Sequence, residues 1–248
     1  MTFSVTVLGC SGMFATREKA ASGYLVEFDD TRLWLDAGPG TWRHLLGHLS
    51  YLDIDGVLLS HRHPDHTTDV FQAFHARHYG GPEPLPPIPL WAPGETLERI
   101  CGFTRDMTES FKLEEITAGG SLKIGGASMS FVDMAHPPVT LGVRMEYEGS
   151  VFAYSADTGP SADFVALAKD ADLFICEATL QDEDEKWEGH MTASAAASAA
   201  MSVQSRRLLL THLPAGRDWN HSLDQARSVT RDLPIDLADD NMMLEVKQ

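Results

Sequence analysis

Hydrophobic positions along this chain fall into two successive blocks, each a cluster of strands followed by strand–helix alternation. FSVTVLG (3–9) reads as a strand closing on a glycine turn, Gly9-Cys10-Ser11-Gly12. YLVEF (24–28) and RLWLDAG (32–38) flank Asp29-Asp30 as the arms of a hairpin. TWRHLLGHL (41–49) spaces its apolar residues as a helix does, DGVLLSH (55–61) is a buried strand, and 66–79 is helical. Prolines 82, 84, 86, 87, 89 and 93 predict a stiff crossing loop from Gly80 to Pro93, with no regular helix or central strand. Residues 111–154 are strand-rich, with alternation in SMSFVDM and LGVRMEY and turns at Gly125-Gly126 and Gly149. A helix at 161–169, a strand LFICEA (173–178), a helix at 191–203, a strand RLLLTH (207–212), a helix at 222–231 and a short strand at 243–246 follow. The small residues of ASAAASAA (193–200) suit a helix packed closely on a sheet. No repeat of 20–50 residues is visible. Two βα-layered halves packed sheet to sheet predict an α/β fold, a four-layer αββα sandwich forming one domain over 1–248.

The strand at 55–61 ends in HRHPDH, which packs His61, His63, Asp65 and His66 into six positions. Neutral imidazoles and a carboxylate are the donors a divalent ion such as zinc takes. Four of them this close together can serve two neighbouring ions. Their place beyond the carboxyl end of a strand is where α/β sheets build sites.

Composition narrows the chemistry. The 19 basic and 36 acidic residues give a net charge of −17. Gripping a long nucleic acid takes phosphate-neutralising Lys and Arg, and there is no basic run, so the balance favours a small substrate over a polynucleotide. No apolar stretch reaches the roughly 18–20 residues that span a bilayer, and the N-terminus reads as a strand, with no signal peptide. Cys10, Cys101 and Cys176 are odd in number and far apart, which predicts reduced thiols and a cytoplasmic protein. The oligomeric state is open, and a homodimer is compatible with the sequence.

Four more segments with ligand chemistry follow apolar strands: Ala135-His136-Pro137, Ser155-Ala156-Asp157-Thr158-Gly159, Glu177-Ala178-Thr179 and Thr211-His212-Leu213. With LWLDAG ahead of HRHPDH, this order resembles the metallo-β-lactamase superfamily over nearly the whole chain. The resemblance implies that His61, His63 and His136 hold one ion, that Asp65, His66 and His212 hold a second, and that Asp157 bridges both. Asp36 would brace the ligand loop from behind. It implies two divalent ions, with zinc first in line and manganese or iron also suited to the nitrogen and oxygen donors.

Glu177-x-Thr179 and Gly189-His190-Met191-Thr192 resemble paired signatures of the tRNase Z-like phosphodiesterase branch of that superfamily, in which the glutamate and histidine act together near the leaving group. The long basic arm by which tRNase Z enzymes grip tRNA has no room between His136 and Asp157. Several segments (VTVLGCSG, ASGYL, AYSADTG, CEA, LLLTHL) are similar to actinobacterial cyclic-nucleotide phosphodiesterases of this fold. The implied activity is hydrolysis of a small phosphodiester, a 3′,5′-cyclic nucleotide first, by a hydroxide bridging the two ions. Asp65, His190 and Glu177 are the catalytic candidates, with His190 as acid and Glu177 orienting it. The alternatives are a tRNA 3′-end processing endonuclease and a lactone, thioester or β-lactam hydrolase of the same fold. His44 and His48 are read as a solvated helix face. Trp187, within QDEDEKWEGH, is read as a packed aromatic on a solvated loop, with stacking on a base over the site as the other reading. His75 and His78 are left open as pocket residues or ordinary helix residues.

Overall fold

A computed structural model describes residues 2–247. Two mixed sheets of seven strands each form its centre. The first runs, edge to edge, through Met243–Glu245, Ser4–Gly9, Gly23–Phe28, Thr31–Leu35, Gly56–Leu58, Ile88–Ala92 and Phe111–Glu115. The second runs through Ile235–Leu237, Leu208–Thr211, Leu173–Glu177, Ser150–Tyr154, Leu141–Tyr147, Ala127–Asp133 and Ser121–Ile124. In each sheet antiparallel hairpins occupy one part and parallel crossover strands the other.

The pleat explains the layering, because alternate residues point to opposite faces of a strand. Val5, Val7, Leu33 and Leu35 of the first sheet meet Phe131, Val143, Phe152 and Ile175 of the second in one buried cluster. The intervening residues face outward into two further clusters. Trp34 and Val57 pack with Leu45, Val70, Phe74 and Ile100 of the helices Thr41–His48, Val70–Tyr79 and Gly94–Phe103. Phe174, Cys176 and Leu210 pack with Leu167, Ala196, Ala197 and Ala226 of the helices Phe164–Ala168, Ala193–Ser202 and Trp219–Val229. Helix, sheet, sheet, helix is the αββα order, and burial on both faces is why the central strands read as near-continuous apolar runs. Ala193, Ala196, Ala197 and Ala200 are buried, and their small side chains let that helix lie close on its sheet.

The loop expected from Gly80 to Pro93 is overturned at its end, where Ile88–Ala92 is a strand between two others. Pro89 is tolerated because of which way its nitrogen points. Ile88 N–H donates to Ser110 on one side, and Trp91 C=O accepts from Leu59 on the other. Pro89 nitrogen faces the Leu59 side, where pairing begins only at Leu90, so no ladder bond is lost. Two elements lie where the pattern predicts none, the helix Gly94–Phe103 and the edge strand Ile235–Leu237. Ser11-Gly12, expected as a plain turn, pairs in parallel with Leu213-Pro214 and ties the N-terminal strand to the segment carrying His212. Among the described residues no helix is long and apolar enough to cross a membrane.

Candidate metal centre

The site lies where strand ends of the two sheets meet. Gly56–Leu58 leads into Ser60-His61, and Pro64, with its fixed φ at the first helical position, starts the short helix that carries Asp65 and His66. His136 follows Ala127–Asp133, Asp157 follows Ser150–Tyr154, and His212 follows Leu208–Thr211. Two of these corners and the one after Thr31–Leu35 need left-handed backbone at non-glycine residues: Ala156 (φ 51°), His212 (φ 57°) and Asp36 (φ 57°). Such conformations are costly for L-residues and persist where packing holds them.

Two groups of donors converge. His61, His63, His136 and Asp157 form one, and Asp65, His66 and His212 the other, with the donor atoms of each group within 4.8 Å of one another. Asp157 faces both. Its Oδ2 lies 3.7 Å from His61 Nε2 and 3.8 Å from His136 Nε2, while its Oδ1 lies 3.1 Å from His66 Nε2 and 3.4 Å from His212 Nε2. Ligands of a tetrahedral zinc stand roughly 3.3 Å apart, so these separations suit metal donors. His190 joins Asp157 and His212 in a third grouping.

The hydrogen bonds behind the histidines set which nitrogen faces inward. His66 Nδ1 donates to Asp36 Oδ2 (2.7 Å), and His136 Nδ1 donates to the Gly189 carbonyl (2.8 Å). Ser60 Oγ donates to Asp36 Oδ2 and so accepts from His61 Nδ1 (3.0 Å). Thr179 Oγ1 donates to Glu177 Oε2 and so accepts from His212 Nδ1 (2.8 Å). In each case this bond assigns a proton to Nδ1 and turns Nε2 into the site. His61 Nε2, His66 Nε2 and Asp157 Oδ1 are buried with no hydrogen-bond partner among the described residues. Buried polar atoms are rarely left so, and three of them aimed at one place fit a bound cation.

Electrostatics agree. Burial, and then the neighbouring imidazoles, push His61, His63 and His136 below the ordinary histidine range, which keeps their lone pairs free. Burial also opposes charge on His66 and His212, but Asp157 and the other carboxylates overcome it and raise both. Burial would raise Asp65 and Asp157, yet the facing histidines hold both carboxyls below the usual range. A pocket that draws protons to His66 and His212 draws cations for the same reason.

Asp36 is fully buried and accepts from Ser60 N, Ser60 Oγ, His66 Nδ1 and the Tyr154 hydroxyl. Glu177 is equally buried. Its Oε1 accepts from Thr158 N and His190 Nδ1 (2.6 Å), and its Oε2 from Thr179 N, Thr179 Oγ1 and Met191 N. The His190 ring stands 5.1 Å from that of His136 and 5.6 Å from that of His212.

Sequence reasoning missed Ser60, Tyr154 and the Gly189 carbonyl. Ser60 and Tyr154 each sit one or three positions before a ligand, on the strand that delivers it, and that adjacency was the available signal. Trp187 belongs to the neighbourhood too, with its ring 5.6 Å from that of His136 and 4.8 Å from that of His190. His75 and His78 make ring contacts with Phe74 and Tyr79 on their own helix. His48 is exposed, as a solvated helix face requires, and meets Asn241, while His44 is half-buried with Nδ1 donating to Leu8 O (2.7 Å).

An αββα sandwich with His/Asp clusters at the strand ends defines a class, and the chain belongs to it: the Beta-lactamase superfamily domain family matches residues 31–213. The protein is a metal-dependent hydrolase. Among its relatives, Uncharacterized protein ML1173 of Mycobacterium leprae is 32% identical over 238 residues, covering 92% of this chain and 84% of that protein. Probable metallo-hydrolase YhfI of Bacillus subtilis is 31% identical over 219 residues (85% and 86% of the two chains). The YhfI crystal structure superposes with a TM-score of 0.91 at 27% identity, covering 99% of this chain and 100% of that one. Human tRNase Z, short form, shares the fold with a TM-score of 0.78 at 20% identity over 99% and 100% of the chains.

Proposed function

We propose that this hydrolase is a dinuclear phosphodiesterase acting on a small phosphodiester, with a 3′,5′-cyclic nucleotide as the leading substrate. In this reading His61, His63 and His136 hold one divalent ion, Asp65, His66 and His212 the other, and Asp157 reaches both. Zinc is the leading candidate for both. The observation that carries the reading is the His190–Glu177 pair beside the ligand cluster.

Divalent ions bound there supply Lewis-acid polarisation of the phosphoryl group and a water acidified towards neutrality. The protein's own groups do the rest. Glu177 Oε1 accepts a hydrogen bond from His190 Nδ1 and leaves Nε2 directed away from it. Its five donors fix Glu177 in place facing His190, the position from which it supports a second proton on that ring. That second proton, on Nε2, is the one passed to the departing alkoxide. Asp65, with Oδ2 3.2 Å from His212 Nε2, is kept ionised by the facing histidines and in this reading orients the attacking water. Thr179 links the two functions, since one hydroxyl bonds both Glu177 and His212.

The strands Leu141–Tyr147 and Ser150–Tyr154 and their tight turn take up the chain between His136 and Asp157, which argues for a small substrate over tRNA. The test is a substrate panel on metal-loaded protein, after elemental analysis of bound metal. Bis(4-nitrophenyl) phosphate and 3′,5′-cyclic AMP are expected to be hydrolysed, and precursor tRNA and a chromogenic β-lactam to be poor substrates. Efficient 3′ trimming of precursor tRNA would replace this reading with RNA processing. Turnover of the lactam without either small phosphodiester would replace it with carbonyl hydrolysis.

A further inference from the structure

The loop bearing Trp187 is more tightly built than its acidic sequence implies. Gln181 is buried and donates to Asp218 O and Ser222 Oγ. Glu183 meets His221 and Gln225, and Asp184 meets Arg217. At its far end the Gly189 carbonyl accepts from His136, and His190 is bound to Glu177. Trp187 lies between these anchors with its ring against the backbone of Gly189, where a Cβ would come within 2.5 Å of the indole. Despite this seat, the residue is 47% exposed.

The open side of Trp187 lines a cavity of about 690 Å³ next to His136. Pro137, Pro138 and Val139 supply an apolar wall, and Val139 is 51% exposed. The volume falls within the roughly 300–1,000 Å³ of small-ligand pockets. The charged groups lining it, Asp133 and Glu188, are acidic. Carboxylates repel further phosphates but accept hydrogen bonds from amino groups. A flat, uncharged group attached to the reacting phosphate fits this surface, and a phosphate-bearing chain does not.

We infer that Trp187 is a stacking shelf for the nucleobase of a mononucleotide substrate, held beside the metal centre by the Gly189–His136 bond. The inference rests on the phosphodiesterase reading and adds to it the part of the substrate that is recognised. Trp187 is a specificity residue here and takes no part in bond cleavage.

Two measurements test it on metal-loaded protein. The first compares kcat/KM for 3′,5′-cyclic AMP with that for the cyclic phosphate of methyl riboside, which lacks the base. Stacking on an aromatic side chain contributes enough that Trp187→Ala should lower this ratio about tenfold, while Trp187→Phe restores most of it. The loss should appear in KM, with metal content unchanged. The second is calorimetric binding of adenosine 5′-monophosphate against ribose 5-phosphate, which needs no turnover. Wild type should prefer the nucleotide about tenfold, and Trp187→Ala should abolish the preference. An equal loss on both substrates, or an unchanged binding preference, overturns the shelf. If neither cyclic phosphate is hydrolysed but the Trp187-dependent binding preference holds, the reaction assignment fails and the shelf stands. If both are hydrolysed and the ratio ignores Trp187, the shelf fails and the reaction stands.

Discussion

The first sheet delivers four candidate ligands within six residues, His61 to His66, while the second delivers three from separate strands, His136, Asp157 and His212. Support differs in the same way. Behind the first set, Ser60 and Asp36 fix His61 and His66 from within the same half. Behind the second, each partner comes from another element, the Gly189 carbonyl for His136 and Thr179 for His212. A local motif needs its own loop and the neighbouring strand end that carries Asp36. A dispersed set needs the whole sandwich in register, and it contains the one carboxylate that faces both groups. The larger functional losses should therefore come from the dispersed side.

Asp157→Ala is the strongest way to break the comparison. It removes the contacts from Oδ1 and Oδ2 to both clusters at once. We expect phosphodiesterase activity to fall by more than about a thousandfold, with bound metal reduced at both positions by elemental analysis. Asp65→Ala touches one cluster and should leave one ion bound. Equal metal loss in the two variants would mean that Asp157 has no special place between the groups.

His190→Ala separates chemistry from metal binding. With the proposed acid gone and Asp157, His136 and His212 intact, kcat should drop by about a hundredfold or more while metal content stays near wild type. A substrate with a good leaving group, such as bis(4-nitrophenyl) phosphate, should lose less than cyclic AMP, because its leaving oxygen needs the proton less. Loss of metal in this variant would place His190 with Asp157 and His212 as a ligand, the third grouping of the site.

The same contrast explains what was legible in the sequence. The HRHPDH loop could be read from its residues alone, because its spacing is its geometry. His136, Asp157 and His212 could be read only because each follows an apolar strand in an order that resembles a known family. Nothing in the spacing of Glu177 and His190 states that they lie 2.6 Å apart, and the family signature supplied that pairing. Tyr154 stands three positions before Asp157, but its bond to Asp36 could not be read, because that partner is 118 positions away in the other sheet. The strand at Ile88–Ala92 was hidden by Pro89, whose cost depends on which neighbour its nitrogen faces, and that is set by sheet order. The loop holding Trp187 reads as solvated and its residues 182, 183 and 185–188 are exposed, but the ties of Glu183 to His221 and Gln225 and of Asp184 to Arg217 could not be read, because the partners lie far along the chain.

Asp36→Asn sharpens the comparison from the local side. The substitution removes the charge that accepts from His66 Nδ1, Ser60 and Tyr154. Loss of such supporting groups typically costs about 10–100-fold in metal affinity or activity. Competition with a chromogenic chelator should show the loss in the cluster of Asp65, His66 and His212 first, since Asp36 bonds His66 directly and reaches His61 only through Ser60.

Tyr154→Phe makes the smallest expected change and probes a hydrogen bond that reaches from the second sheet to the support of the first. Its hydroxyl donates to Asp36 Oδ2 at 2.8 Å across the sheet interface, while its ring packs on Tyr24 at 4.9 Å. The substitution keeps the ring and removes only the donor, so packing loss is small. A hydrogen bond to a buried charge is worth about 1.5–3 kcal/mol, and urea unfolding of chelator-treated protein should show a loss near the lower figure, because Asp36 keeps three other donors. The informative quantity is the extra stability conferred by saturating zinc, which reports affinity through binding linkage. If the two halves hold their ligands independently, that increment should match wild type and only the baseline should fall. If the Tyr154–Asp36 bond sets the register that brings Asp157 to both clusters, the increment itself should shrink, because Asp157 follows Tyr154 by three residues on the same strand end.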